Sequence, residues 1–490
     1  MHHLKLHHHH RPSTLKPIYT TVRTTTSPPP FSSTNIANLV LTTETTAELT
    51  ETLLYHPKIH WSTPLVNETL KKLWNHGPKA LLFFTVLDRH TTYTHSLSSF
   101  HLAVDIAARL RRYSVVWSLL SRLRRRRLGP TPLTFSIILE RYVSSGKPDK
   151  AVDIFLDLRK HFCDGFSHDL SMFNDMIDVL CKSKRVDKAV FLMGLFKGRL
   201  KFDVITYNII ANGWCLINRV NSGLGVLKEM IDKGIDPNLS TFNVILRGYF
   251  RTGQINEAWA FFKEIKRREF EVDVVTYTTL VHGFGVAGEV TRARRLFESM
   301  VDDGVLPNVA TYNALIQVLC KKDSVENGIE LFGDMVRKGY VPNVVTYNTL
   351  IRGLCHNGEM GRAEEFVGVM RKDGCEPNVQ TFNMLIRYYC EAGEIEKGLD
   401  VFGKMGTEEC LPNLDTYNVL ISSMFVRKKS EDLVVAGRLL VEMVDRGFLP
   451  TRYNFNRVLN GLLVTGNQGF AREILRLQSK CGLLPRQFRL

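Results

Sequence analysis

The sequence predicts an all-α fold, a right-handed α-solenoid superhelix of tandem helix–turn–helix repeats. Three observations carry that reading. A Thr-aromatic-polar slot recurs every 35 residues: Thr206-Tyr207-Asn208, Thr241-Phe242-Asn243, Thr276-Tyr277-Thr278, Thr311-Tyr312-Asn313, Thr346-Tyr347-Asn348, Thr381-Phe382-Asn383 and Thr416-Tyr417-Asn418. Each copy holds two short apolar stripes, such as Tyr347, Leu350, Ile351, Leu354 and then Ala363, Phe366, Val367, Met370. Their spacing of i, i+3, i+4, i+7 is that of one helix face. Gly253, Gly288, Gly358 and Gly393 close first stripes, while pairs such as Pro307-Asn308 and Pro342-Asn343 close second ones. Those residues stop one helix and start the next. One such hairpin cannot bury both of its stripes alone; stacking on neighbours buries them, which is the logic of a solenoid.

The elements follow in order. Residues 1–45 read as a disordered organelle transit peptide. The first 43 hold no Asp or Glu, four basic residues (Lys5, Arg11, Lys16, Arg23), thirteen Ser/Thr and the helix breaker Pro28-Pro29-Pro30, the composition of an import signal. On composition the mitochondrion is favoured over the chloroplast. His7 to His10 read as low complexity rather than as a metal site. Residues 46–96 read as a linker and, over 62–96, a degenerate helical pair that caps the apolar face of the first true repeat. Eleven units follow, at 97–131, 132–169, 170–203, 204–238, 239–273, 274–308, 309–343, 344–378, 379–413, 414–451 and 452–486, covering 390 of 490 residues. Residues 487–490 form a short tail.

Composition narrows the function classes. A net charge of +15, from 64 basic and 49 acidic residues, favours a polyanionic partner. No apolar run approaches the ~20 residues of a membrane span. Of nine cysteines, Cys181, Cys215, Cys320, Cys355 and Cys390 all occupy position 12 of their units. With no CxxC or Cys/His metal spacing, they read as small core residues. Gly283-Phe284-Gly285-Val286-Ala287-Gly288 matches GxGxxG, but a dinucleotide site needs a strand before it, and here it closes a helix. No deaminase signature, carboxylate cluster or nucleophile–base constellation is present. The chain is read as a non-enzyme without cofactor.

At these residues the chain resembles the pentatricopeptide repeat family, through "VVTYNTLI…C…G…A…F…M…G..PN" repeated in register over four-fifths of its length. The Trp-Leu-Gly-Tyr signature of the 34-residue tetratricopeptide repeat is absent. Units of nearly uniform length resemble the family's P class. That resemblance implies action on organellar RNA, in splicing, end protection, processing or translation, with group II intron splicing the first expectation. A protein–protein scaffold is the alternative of another class.

The candidate site is a polar pair in each unit, position 5 and the last residue. For the second to ninth units the pairs are Ser136/Asp169, Asn174/Asp203, Asn208/Asn238, Asn243/Asp273, Thr278/Asn308, Asn313/Asn343, Asn348/Asn378 and Asn383/Asn413. An Asp or Asn before a helix caps it, which would explain the last position but not a polar residue inside the first helix. Repeats that read one base each would explain both, and base readout is the favoured reading. Asp only accepts, so it pairs with the imino N–H of uracil or guanine; Asn can also donate, to the ring nitrogen of cytosine or adenine. A short Ser or Thr leaves room for a purine, whereas Asn favours a pyrimidine. The family's code and its parallel polarity agree, and give a core target of 5′-GUYUAYYY-3′ in single-stranded RNA. A peptide groove has no reason to restrict these positions to Asn, Asp, Ser and Thr. The resemblance also implies phosphate contacts at position 13 (Lys182, Arg251, Lys321) and base stacking at position 2 (Ile205, Val275, Val345). Leu216, Val286 and Glu391 at position 13, and Gln380 and Asp415 at position 2, depart from it, so the ninth and tenth units are expected to bind less firmly. Arg124 to Arg127 read as a solvated helix face, with phosphate contact outside the groove as the alternative.

Overall fold

A computed structural model describes residues 32–481 apart from 44, 56–58, 91–92, 158–168, 409, 427–428, 447 and 449. Among the described residues the regular structure is helical. From Leu97 onward the helices come in pairs, for example Val204–Leu216 with Val220–Asp232, Val274–Val286 with Val290–Asp302, and Val344–His356 with Met360–Lys372. First helices pack on the first helices of the flanking pairs. Second helices pack chiefly on the first helices of their own and the following pair. The first helices thus form the continuous, closer-packed layer of the stack.

The slot aromatic anchors each pair. Tyr207, Tyr277, Tyr312, Tyr347 and Tyr417 are fully buried, each worth roughly 1.5–3 kcal/mol as apolar surface removed from water. Their hydroxyls find partners at the end of their own second helix: Lys233 for Tyr207, Asp303 for Tyr277, Asp373 for Tyr347 and Glu442 for Tyr417. A buried Tyr O–H without such a partner would cost stability.

The position-12 cysteines set how closely units approach. A Cβ on Gly248 would lie 2.5 Å from Cys215 Sγ, and one on Gly223 3.2 Å from it. Cys320 is held in the same way between Gly328 and Gly353. Burial pushes the Cys215 thiol up to about 11 and the Cys181, Cys320 and Cys355 thiols up to about 12, so they are inert packing groups. Two glycines of the GxGxxG match are packing features too: a Cβ on Gly283 would meet the Phe250 ring at 2.3 Å, and one on Gly285 would meet Val318 at 1.9 Å, while Gly288 turns the chain at φ 93°.

The N-terminal region departs from expectation. Ser33–Thr42 is a helix, capped by Ser32 and burying Ile36, Ala37 and Val40. It lies inside the stretch assigned to a disordered leader and packs on Thr63–Lys72. Thr46–Tyr55, assigned to a linker, is also helical and buries Leu49 and Leu53. The sparse stripe Ile36, Ala37, Val40 is enough to hold a helix once Thr63–Lys72 and Gly77–Leu87 offer a surface. His7 to His10, Arg486 and residues 487–490 lie outside the described residues.

Candidate nucleic-acid interface

Each first helix begins at a last-position residue, and each of these caps it. Asp203 Oδ1 accepts from Thr206 N at 2.9 Å, Asn308 Oδ1 from Thr311 N at 2.9 Å, and Asn378 Oδ1 from Thr381 N at 3.1 Å. Asp169, Asn238, Asp273, Asn343 and Asn413 do the same at 2.7–3.1 Å. The capping role weighed against base readout is therefore present throughout.

Capping uses one atom of the side chain and orients the other. The partner is a backbone N–H, so an asparagine must turn its oxygen to the helix and its Nδ2 away. A capping aspartate keeps Oδ2 in reserve. Capping Asn thus offers a donor beyond the helix and capping Asp an acceptor. Asn238, Asn308, Asn343 and Asn378 are exposed, whereas Asp203, Asp273 and Asn413 are partly so.

Position 5 reaches across to the next unit's cap. Asn174 Oδ1 accepts from Thr206 Oγ1 at 2.9 Å, Asn348 Oδ1 from Thr381 Oγ1 at 2.8 Å, and Asn383 Oδ1 from Thr416 Oγ1 at 2.6 Å. Thr278 Oγ1 lies 2.8 Å from Thr311 Oγ1. Two of the paired positions touch directly: Asn313 Nδ2 donates to Asn343 Oδ1 at 3.4 Å and Asn383 Nδ2 to Asn413 Oδ1 at 3.1 Å. The buried Oδ1 atoms of Asn208, Asn243 and Asn313 have no partner, an expensive state for a polar atom. Ser136 Oγ donates to Asp175 of the following unit at 2.7 Å.

The apolar position-2 residues stand in solvent. Ile205 and Val345 are 59% exposed and Val275 is 50% exposed. Leu133 and Tyr453, at the same position, are also exposed, although sequence reading passed over them. Val275, Thr278 and Asn308 converge on one concavity of about 550 Å³ with Arg247, Arg251 and His282. It joins position 2, position 5 and the last position of one unit to two cations of the preceding unit. Burial, with Lys321 nearby, lowers the His282 pKa.

The position-13 cations differ. Lys182 is paired with Asp178 at 2.5 Å, which raises its pKa and neutralises its charge locally. Arg251 and Lys321 are exposed. In the arginine run, Arg126 joins Arg122 on Asp88 and lies over the Phe100 ring, while Arg124, Arg125 and Arg127 are exposed. Among the described residues no cluster of His, Cys, Asp and Glu could hold a metal ion, and no helix is long and apolar enough to cross a membrane.

Comparison with known proteins adds the following. The PPR repeat family model matches six overlapping stretches from 202–251 to 378–425, and the PPR repeat model matches 133–161 and 171–199. A mitochondrial pentatricopeptide repeat-containing protein of Arabidopsis thaliana is 71% identical over 464 residues, 94% of this chain and 96% of its own length. Another from the same plant is 28% identical over 176 residues, 36% of this chain and 33% of its own length. The crystal structure of the pentatricopeptide repeat protein PPR10 from maize matches 93% of this chain and 85% of its own at 19% identity, with a TM-score of 0.41. PPR10 in complex with an 18-nt psaJ RNA element matches 92% of this chain and 79% of its own at 21% identity, with a TM-score of 0.34.

Proposed function

The chain belongs to the pentatricopeptide repeat family, and from that premise we propose that it is a sequence-specific single-stranded RNA-binding protein of the P class, without catalysis of its own. It acts in mitochondria, as its 71% identical relative does. The observation that carries the RNA reading is the orientation of the capping residues. Asp169, Asp203 and Asp273 hold an acceptor in reserve. Asn238, Asn308, Asn343, Asn378 and Asn413 turn Oδ1 to the helix and Nδ2 away from it. Uracil and guanine present an imino N–H to the first group; cytosine and adenine present a ring nitrogen to the second.

Position 5 divides the bases by size. Ser136 and Thr278 are short and give room for a purine; Asn174, Asn208, Asn243, Asn313, Asn348 and Asn383 favour pyrimidines. Read from the second to the ninth unit in parallel, the target is 5′-GUYUAYYY-3′. Ile205, Val275 and Val345 offer apolar surfaces for bases to stack on, and Arg251 and Lys321 offer phosphate contacts, with Lys182 weakened by Asp178.

The bound RNA is held in a form that favours its maturation, and group II intron splicing is the role proposed first, ahead of end stabilisation or translation. The test is to sequence RNA that co-purifies with the protein from mitochondria. Enrichment of an intron region containing the target supports the reading. Enrichment of transcript ends redirects it to stabilisation, and RNA without the target overturns the base assignment.

A further inference from the structure

Position 9 of the first helix belongs to the same stripe as positions 2, 5 and 13. The steps of three, four and four residues keep all four within a narrow arc of an α-helix. The concavity beside Asn308 bears this out, since Arg247 and His282, both at position 9, line it with Arg251, Val275 and Thr278. Nothing in the position-5, position-13 and last-position pattern accounts for them.

Charge along this stripe changes sign with unit. In the first three units positions 9 and 13 read Asp105/Arg109, Glu140/Ser144 and Asp178/Lys182. Two of these carboxylates bind the cations beside them, Asp105 on Arg141 and Asp178 on Lys182, both at 2.5 Å. In the fifth to eighth units the same positions read Arg247/Arg251, His282/Val286, Gln317/Lys321 and Arg352/His356, with no carboxylate. Arg247, Arg251, Lys321 and Arg352 are exposed and make no ion pair among the described residues. In the ninth unit Arg387 is taken up by Asp415 at 3.4 Å, beside Glu391.

We infer that position 9 forms a second phosphate-binding row, Arg247 and Arg352 with His282 between them, and that the RNA backbone is gripped mainly over the fifth to eighth units. This rests on the RNA-binding reading above. Where position 13 lacks a full cation, as at Val286 and His356, position 9 supplies the Arg352 guanidinium or, at His282, a neutral imidazole N–H donor. The second and third units then select bases while adding little backbone affinity.

Salt dependence of binding tests this, because each phosphate contact on a single strand contributes about 0.7 to the slope of log K against log salt. The full chain is titrated with a 5′-GUCUACCC-3′ oligonucleotide in a longer strand, and with a scrambled strand. Arg247→Gln/Arg352→Gln is expected to lower the slope by about 1.4 and keep the preference for the target. Arg295→Gln/Lys372→Gln, on second helices, removes the same charge and is expected to leave the slope unchanged. Glu140→Arg is expected to raise the slope by about 0.7, which decides the matter if the double variant fails to fold. An unchanged slope in both position-9 variants, with the target still preferred, overturns the second row and leaves the RNA reading intact. Equal losses in the two double variants overturn it in favour of overall charge. No binding of either strand by the unmodified chain at low salt overturns the RNA reading itself, and the row with it.

Discussion

Asn348 accepts a 2.8 Å hydrogen bond from Thr381 Oγ1, 33 residues further along the chain. Thr381 also receives the backbone N–H of Asn378, which caps the same helix. A residue read as a base contact therefore also ties its unit to the next. Asn costs roughly 0.6 kcal/mol against Ala in a helix interior, and this buried bond, worth about 1 kcal/mol net, offsets that cost.

Thr381→Val keeps the shape, takes the hydroxyl donor from Asn348 Oδ1 and takes the acceptor from the Asn378 backbone N–H. It is expected to lower stability by about 1–3 kcal/mol, read as a shift of the urea midpoint. Thr349→Val removes an exposed hydroxyl that bonds the Val345 carbonyl of its own helix, and is expected to shift the midpoint far less. Equal shifts in the two variants would show that the bond between units contributes nothing.

Gly248→Ala drives a Cβ to within 2.5 Å of Cys215 Sγ. Overpacking of this kind costs about 1–3 kcal/mol, despite the better helix propensity of Ala. Cys215→Ala in the same chain should recover part of the loss. Additive effects in that double-mutant cycle would show that the two residues do not set the spacing between units.

His95 is stacked on Phe84 at 3.8 Å and its Nε2 lies 2.8 Å from the Phe84 carbonyl. Burial lowers its pKa to about 4, partly opposed by that hydrogen bond. His76 is lowered to about 4 as well, again chiefly by burial. A depressed histidine is neutral in the folded state, so its contribution is fully present above about pH 6.5. It is lost as pH falls from there toward 4, on the order of 3 kcal/mol for each group. Hydrogen-exchange protection in Gly77–Leu87, taken relative to the intrinsic exchange rate at each pH, should fall over that window, and His95→Gln should flatten the profile. An unchanged profile in His95→Gln would assign the pH dependence elsewhere.

Thr278→Asn fills space beside Asn308 with a larger amide. The sixth unit is then expected to prefer a pyrimidine over adenine, by a margin on the scale of ~1–3 kcal/mol known for direct base contacts. Binding to two oligonucleotides that differ only at that base reads it out. A retained preference for adenine would make position 5 purely structural.

Much of this architecture was legible because it repeats. The 35-residue slot, the stripes and the Gly and Pro-Asn stops are local signals, so helices and their pairing followed from them. The bond from Thr381 to Asn348 was not legible, since it depends on how one first helix seats on the next. The helix Ser33–Thr42 was missed because leader composition outweighed three apolar residues whose partner surface lies some 30 residues on. The resemblance gives Lys182 a phosphate contact, but Asp178 stands four residues before it, a spacing at which ion pairs form, and takes up its charge. Position 9 went unread because its residues vary from Asp to Arg, and only the shared concavity with Asn308 draws attention to them.

The central claim is that one side chain both caps a helix and reads a base. Asn308→Asp tests it most directly, since Asp caps as well as Asn while replacing the outward donor by an acceptor. The melting temperature should stay within a degree or two, and the preferred base at the sixth unit should change from adenine to guanine when strands differing only there are compared. An unchanged melting temperature with an unchanged preference for adenine would contradict the account and leave Asn308 a helix cap and nothing more.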